Sequence, residues 1–131
     1  MARILIIDDD EAVRAMLRQL LQSRGYETAE AADGEGGLAL FRQLRDPAPV
    51  DLALIDIELP RKSGLDVIQE LAVDFPGVKI IAITGSSGEA AQAVRINAKT
   101  FGAYQVFTKP LPLQDLLGAI ADLLNGQDNP V

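Results

Sequence analysis

The chain has no cysteine and no histidine. Without cysteine there can be no disulfide, thiolate metal site or cysteine nucleophile. Without histidine there is no Ser-His-Asp catalysis, no imidazole metal ligand and no phosphohistidine carrier. Any metal must therefore be held by oxygen. Basic residues are scarce as well: 12 Lys and Arg stand against 19 Asp and Glu, giving a net charge of -7 and a sequence pI near 4.5. That balance lacks the basic footprint of direct nucleic-acid binding, so proteins are the expected partners. Long apolar runs are missing too. The start, Met1-Ala2-Arg3-Ile4, leads into a four-residue apolar run that ends in acids. This is too short for a signal peptide or a membrane span, and a cytoplasmic protein without membrane attachment is expected.

What the chain does have is 131 residues, 48% of them hydrophobic, which suits one compact domain with a single core. Short β-branched runs alternate with longer helical patterns, the βαβ signature of a parallel sheet covered by helices. Four runs read as strands: Ile4 to Ile7, Leu52 to Ile55, Lys79 to Ile83 and Tyr104 to Phe107. Glu27 to Ala31 is a fifth, assigned mainly by its position. Val13, Met16, Leu17, Leu20 and Leu21 recur at helical spacing, with Asp10 and Glu11 at the positive end of that helix and Gly25 to stop it. Leu40, Phe41 and Leu44 mark a second helix, whose start is blurred by Gly34, Gly36 and Gly37. Pro47 and Pro49 mark the next loop. Ser63 is placed to cap a third helix carrying Leu65, Ile68, Leu71 and Ala72, and Pro76-Gly77 closes that unit. A fourth helix is expected over Ala90 to Thr100, and a fifth over Leu113 to Leu124 behind Pro112. Residues 127–131 form a short polar tail.

Every apolar run ends in a chemically capable residue. The first leads into Asp8, Asp9 and Asp10, the next into Asp56, the third into Thr84 and the last into Thr108-Lys109-Pro110. In a parallel sheet the carboxyl ends share one edge, where ligands of open α/β sheets bind. Asp8, Asp9, Asp56, Thr84 and Lys109 are thereby expected to converge. Each also has a plainer role: acids can simply start a helix, Asp56 can form a turn, Thr84 can end a strand and Lys109 can be solvated.

In this order, with Leu59-Pro60 and Ser63-Gly64-Leu65 behind Asp56, these residues resemble the receiver domain of bacterial response regulators. Asp33-Gly34 and Gly102-Ala103 also resemble receiver sequence, and the likeness covers nearly the whole chain. It implies a flavodoxin-like, doubly wound α/β fold, with a five-stranded parallel sheet in the order 2-1-3-4-5 and five helices. Residues 1–126 would form the receiver. It further implies that Asp56 is phosphorylated and that Lys109 and Thr84 bind phosphoryl oxygens. A cis peptide between Lys109 and Pro110 belongs to the same pattern.

The chemistry agrees with the residue types. A carboxylate is a modest nucleophile toward phosphorus, and phosphoryl transfer depends on in-line positioning and on neutralising the equatorial oxygens. Two carboxylates about 4 Å apart repel by roughly 4 kcal/mol at an effective dielectric near 20. Clustered Asp8, Asp9 and Asp56 therefore call for a divalent cation, and Mg2+, with Mn2+ as a substitute, suits such an oxygen site. By the resemblance, Asp9, Asp56 and the Glu58 backbone carbonyl would ligate it directly and Asp8 through water. Glu58 and Ser86 occupy positions that resemble those influencing dephosphorylation in receivers.

Two departures from the family pattern bear on signalling. Val106 stands where many receivers carry a Tyr or Phe switch; Tyr104, two residues earlier, alternates onto the same strand face but is a different position. The segment from Thr84 to Lys109 is also longer than in the pattern, with Gly85-Ser86-Ser87-Gly88 as the place for the extra length. The switch is expected in Thr84, Gly85 and Ser86 rather than in an aromatic ring.

The resulting expectation is a single-domain response regulator that accepts a phosphoryl group on Asp56 from a sensor histidine kinase, a hybrid kinase or a phosphotransfer protein. Its output would be contact with an unidentified protein, a homodimer being compatible with this. It would not be an enzyme beyond its own phosphorylation and dephosphorylation. Two alternatives are a constitutive docking or dimerisation module and a small aspartyl-phosphate phosphatase. The latter is disfavoured by Glu58, where a second Asp is needed.

Overall fold

The computed structural model describes residues 2–45 and 49–126. Pro47 and the tail beyond Gly126 lie outside these residues. The chain alternates strand and helix: β1 (Arg3–Ile7), α1 (Glu11–Ser23), β2 (Glu27–Ala31), α2 (Gly34–Gln43), β3 (Leu52–Asp56), α3 (Gly64–Asp74), β4 (Lys79–Thr84), α4 (Gly88–Phe101), β5 (Gln105–Thr108) and α5 (Leu113–Leu124). All strand pairs are parallel, in the order β2-β1-β3-β4-β5. This is the flavodoxin-like topology expected above.

Alternation along the strands feeds two cores. Ile4 and Ile6 of β1, Leu52 and Leu54 of β3 and Ile81 and Ile83 of β4 meet Leu17, Leu21, Leu116 and Ile120 of α1 and α5. Leu5, Ile7, Ala53, Ile55, Ile80 and Ala82 point the other way, toward Leu38, Phe41, Val67, Ile68 and Leu71 of α2 and α3. Both faces of the central strands are buried, so they read as continuous apolar runs. Edge strand β2 is only partly buried, which explains its weak sequence signal.

Helix starts follow local chemistry. Asp10 caps α1 by accepting hydrogen bonds from Ala12 N and Val13 N, and Asp33 caps α2 by accepting one from Gly36 N. The latter fixes the helix start that three glycines had blurred. Ser63 accepts from Leu65 N as expected. The fourth helix is longer than its expected Ala90–Thr100 span, beginning at Gly88 with φ of +66°. Tyr104 precedes β5 and is not part of that strand.

One close approach shapes the site. A Cβ on Gly64 would lie 2.1 Å from Asp56 O and 2.6 Å from Ile57 Cα, so no larger residue fits there without moving backbone. Gly64 N also donates to Ile57 O at 2.9 Å, holding the first turn of α3 against the end of β3.

Candidate functional site

Strand order decides what converges. β1 and β4 flank β3 in the sheet, and β5 lies beside β4, so the carboxyl ends of four strands meet. Asp56 is the last residue of β3 and Thr84 the last of β4, while Asp8 and Lys109 directly follow β1 and β5. Asp8 and Asp56 are buried, at 0% and 3% exposure, whereas Asp9 is exposed. One carboxylate oxygen from each of Asp8, Asp9 and Asp56 lies within 4.8 Å of the others. Lys109 Nζ lies 3.0 Å from Asp8 Oδ2 and 3.3 Å from Asp56 Oδ2. Its peptide bond to Pro110 is cis.

The remaining oxygens are held by main chain. Asp8 Oδ1 accepts from Asp10 N, and Asp56 Oδ1 accepts from Glu58 N, both at 2.9 Å. Asp8 Oδ2 is buried and makes no hydrogen bond; its 3.0 Å contact with Lys109 supplies charge without hydrogen-bond alignment. Burial, followed by the charge of Asp8, pushes Asp56 up to about 6, against the pull of Glu58 N and Lys109. Lys109 responds in the other sense. Burial disfavours its charge, but the close Asp8 carboxylate, the charge of Asp56 and a hydrogen bond to Asp56 Oδ2 outweigh that and raise it. The site thus crowds negative charge that one ammonium only partly offsets.

This donor set fits a hard divalent cation. Its ligating groups are carboxylate oxygens, and the buried Asp8 Oδ2 is an acceptor left without a hydrogen bond. Three acids around one point, with an open side at Asp9, match the few-carboxylate, water-rich coordination that Mg2+ prefers.

Thr84 is brought to the same edge but is turned to other partners. Its hydroxyl donates to Glu58 Oε2 at 2.7 Å and accepts from Ser86 N at 3.0 Å. Glu58 Oε1 accepts from Gly85 N at 2.7 Å, and Ser86 Oγ donates to Oε2 at 3.3 Å. Sequence reading considered the Glu58 carbonyl as a ligand and missed these side-chain contacts; an exposed Glu after a strand carries no signal for them. Arg95 was missed as well. From α4 it donates to Val106 O at 3.0 Å and to Thr108 Oγ1 at 2.6 Å, tying that helix to β5 beside Lys109. Val106 is buried, while Tyr104 is partly exposed under Lys79, whose Nζ sits 4.9 Å from the ring centroid.

Known proteins share this fold. The family model for the response regulator receiver domain matches residues 4–121. The chain belongs to that family. Among curated relatives, the receiver domain is 35% identical over 130 residues to the probable transcriptional regulator ycf27 of Cyanophora paradoxa, covering 98% of this chain and 50% of that protein. It spans about half the length, or less, of the first curated relatives it matches. Among solved structures, a CheY-like receiver domain protein from Methanospirillum hungatei aligns with a TM-score of 0.82 and 34% identity, over 98% of this chain and 97% of that one. The response regulator TrrA of Thermotoga maritima, solved in complex with Mg(2+)-BeF, aligns at 0.81 with 32% identity, over 94% and 99% of the two chains. The receiver domain has no helix, among the described residues, long and apolar enough to cross a membrane.

Proposed function

We propose that Asp56 accepts a phosphoryl group from a phosphohistidine of a sensor kinase or phosphorelay protein, and that the modified domain signals by contact with another protein. The observation that carries this is the pairing of a buried Asp56 carboxylate with Lys109 at 3.3 Å, on a strand edge that also presents Asp8 and Asp9. An Asp56 oxygen attacks phosphorus in line, the P–N bond breaks as the P–O bond forms, and the departing imidazole takes up a proton. Lys109 then pairs with a phosphoryl oxygen, and the Thr84 hydroxyl bonds another once it leaves Glu58. Mg2+ would be held by Asp9, Asp56 and the Glu58 backbone carbonyl, with Asp8 acting through water; when bound, it supplies neutralisation of the equatorial oxygens. Cytoplasmic placement, a receiver domain over residues 1–126 and output by protein contact belong to the same reading.

Incubation with a small phosphodonor and Mg2+, followed by intact mass and peptide mapping, tests it. A single phosphoryl group on Asp56, lost in Asp56→Asn while the fold is retained, is the expected result. Phosphate on Thr84 or Ser86 with Asp56 bare would overturn the assignment.

A further inference from the structure

The Thr84 hydroxyl has one proton to give. That proton goes to Glu58 Oε2 at 2.7 Å, and the same carboxylate takes Gly85 N at 2.7 Å and Ser86 Oγ at 3.3 Å. One side chain therefore gathers donors from the last residue of β4 and the two that follow it. Glu58 starts two residues beyond Asp56, its own amide bonded to Asp56 Oδ1 at 2.9 Å, so the clamp and the phosphorylation site share a short loop. A phosphoryl group on Asp56 would carry about -1.5 to -2 charge at neutral pH and would seek the same hydroxyl. It would also repel the Glu58 carboxylate, which is exposed and free to swing into solvent.

We infer that Glu58 is a latch: its carboxylate holds Thr84, Gly85 and Ser86 in the unphosphorylated arrangement, and phosphorylation signals by displacing it. The inference rests on the phosphoacceptor reading of Asp56. The Glu58 carboxylate acts here as a positioning group, since it touches Thr84, Gly85 N and Ser86 rather than the reacting atoms. Its displacement frees Thr84 for the phosphoryl group and releases Gly85 and Ser86, in the short connection to α4 at Gly88. In a chain where Val106 replaces a ring, the latch gives that segment two discrete states. A ligand shifts such an equilibrium only by its differential affinity for the two states, and the latched state taxes every ligand that needs Thr84 free.

The test is an NMR titration of the full chain with beryllofluoride and Mg2+, a phosphoryl mimic, in wild type, Glu58→Gln and Glu58→Ala. Wild type should bind the mimic and Asp56→Asn should not; failure of wild type to bind would sink the phosphoacceptor reading and the latch together. With that binding established, Glu58→Ala should tighten it by about 5- to 30-fold, the value of a single hydrogen bond to a solvent-exposed carboxylate. Glu58→Gln keeps one oxygen acceptor and should fall between. In wild type the Gly85 amide resonance should lose its hydrogen-bonded shift on saturation, and in Glu58→Ala it should lack that shift from the outset. Glu58 is exposed, so both variants should keep the wild-type circular dichroism. Unchanged or weakened affinity in Glu58→Ala overturns the latch. So does equal tightening in Gln and Ala, which would mean charge repulsion alone, or a Gly85 amide that stays bonded in the saturated wild type.

Discussion

Replacing Asp56 by asparagine should stabilise the metal-free protein, and by an amount that depends on pH. Burial and the neighbouring Asp8 raise the Asp56 carboxyl from 3.8 to about 6. Because the folded-state pKa lies above the unfolded one, this group favours folding most below pH 3.8, and that contribution is lost as pH rises through about 6. The full loss corresponds to about 3 kcal/mol. Asparagine keeps an oxygen for Glu58 N but turns an amide toward Lys109, so the net gain at neutral pH is set at about 2 kcal/mol. For a domain of this size that means roughly 6–10 °C in Tm. Thermal melts in chelator from about pH 5 to about pH 7.5 should show the advantage of Asp56→Asn growing and then levelling off. Millimolar Mg2+ should narrow the gap by stabilising wild type through mass action. An Asn variant no more stable than wild type in chelator at neutral pH, or an advantage that does not change with pH, would refute the reasoning.

Magnesium titration should show weaker binding in both Asp8→Asn and Asp9→Asn, with the larger loss for Asp9 as the direct ligand; unchanged affinity in Asp9→Asn contradicts the proposed coordination. Gly64→Ala should cost about 3 kcal/mol or more, since its methyl would occupy the space of Asp56 O, and thermal unfolding that differs little from wild type would show that the contact yields easily. Amide exchange with and without beryllofluoride and Mg2+ should change most over residues 84–101 and less near Tyr104 to Lys109. Changes confined to the Asp8, Asp9 and Asp56 loops would favour a constitutive docking module instead.

Much of this molecule is readable before any coordinates. Central strands buried on both faces must be apolar throughout, so β1, β3 and β4 stand out within a residue or so of their ends. A parallel sheet puts all carboxyl ends on one edge, so Asp8, Asp56, Thr84 and Lys109 could be grouped from sequence order alone. The rest depends on distances that sequence does not encode. Glu58 reaches Thr84 and Gly85 only because β3 and β4 lie side by side in a register that pairs Asp56 with Ile83. Arg95 reaches Val106 O because α4 crosses the edge strand there. The raised carboxyl of Asp56 reflects how deeply the loop ends enclose it, which no residue type announces.

The Gly64 contact also gives the site a mechanical asymmetry. On one side, the Asp56–Ile57 peptide is wedged against the first turn of α3, with Ile57 N bonded to Ile83 O at 2.8 Å and Ile57 O to Gly64 N at 2.9 Å. On the other, a Cβ at Gly85 would find only the Glu58 carboxylate within 4 Å, and one at Gly88 would find nothing. New charge on Asp56 would therefore push from a stiff anvil into a compliant arm. Work done at the carboxylate would be spent on the β4–α4 connection, because the tight Gly64 contact leaves the β3–α3 junction little slack to absorb it. The glycine that looks like a packing necessity would then set the direction of transmission.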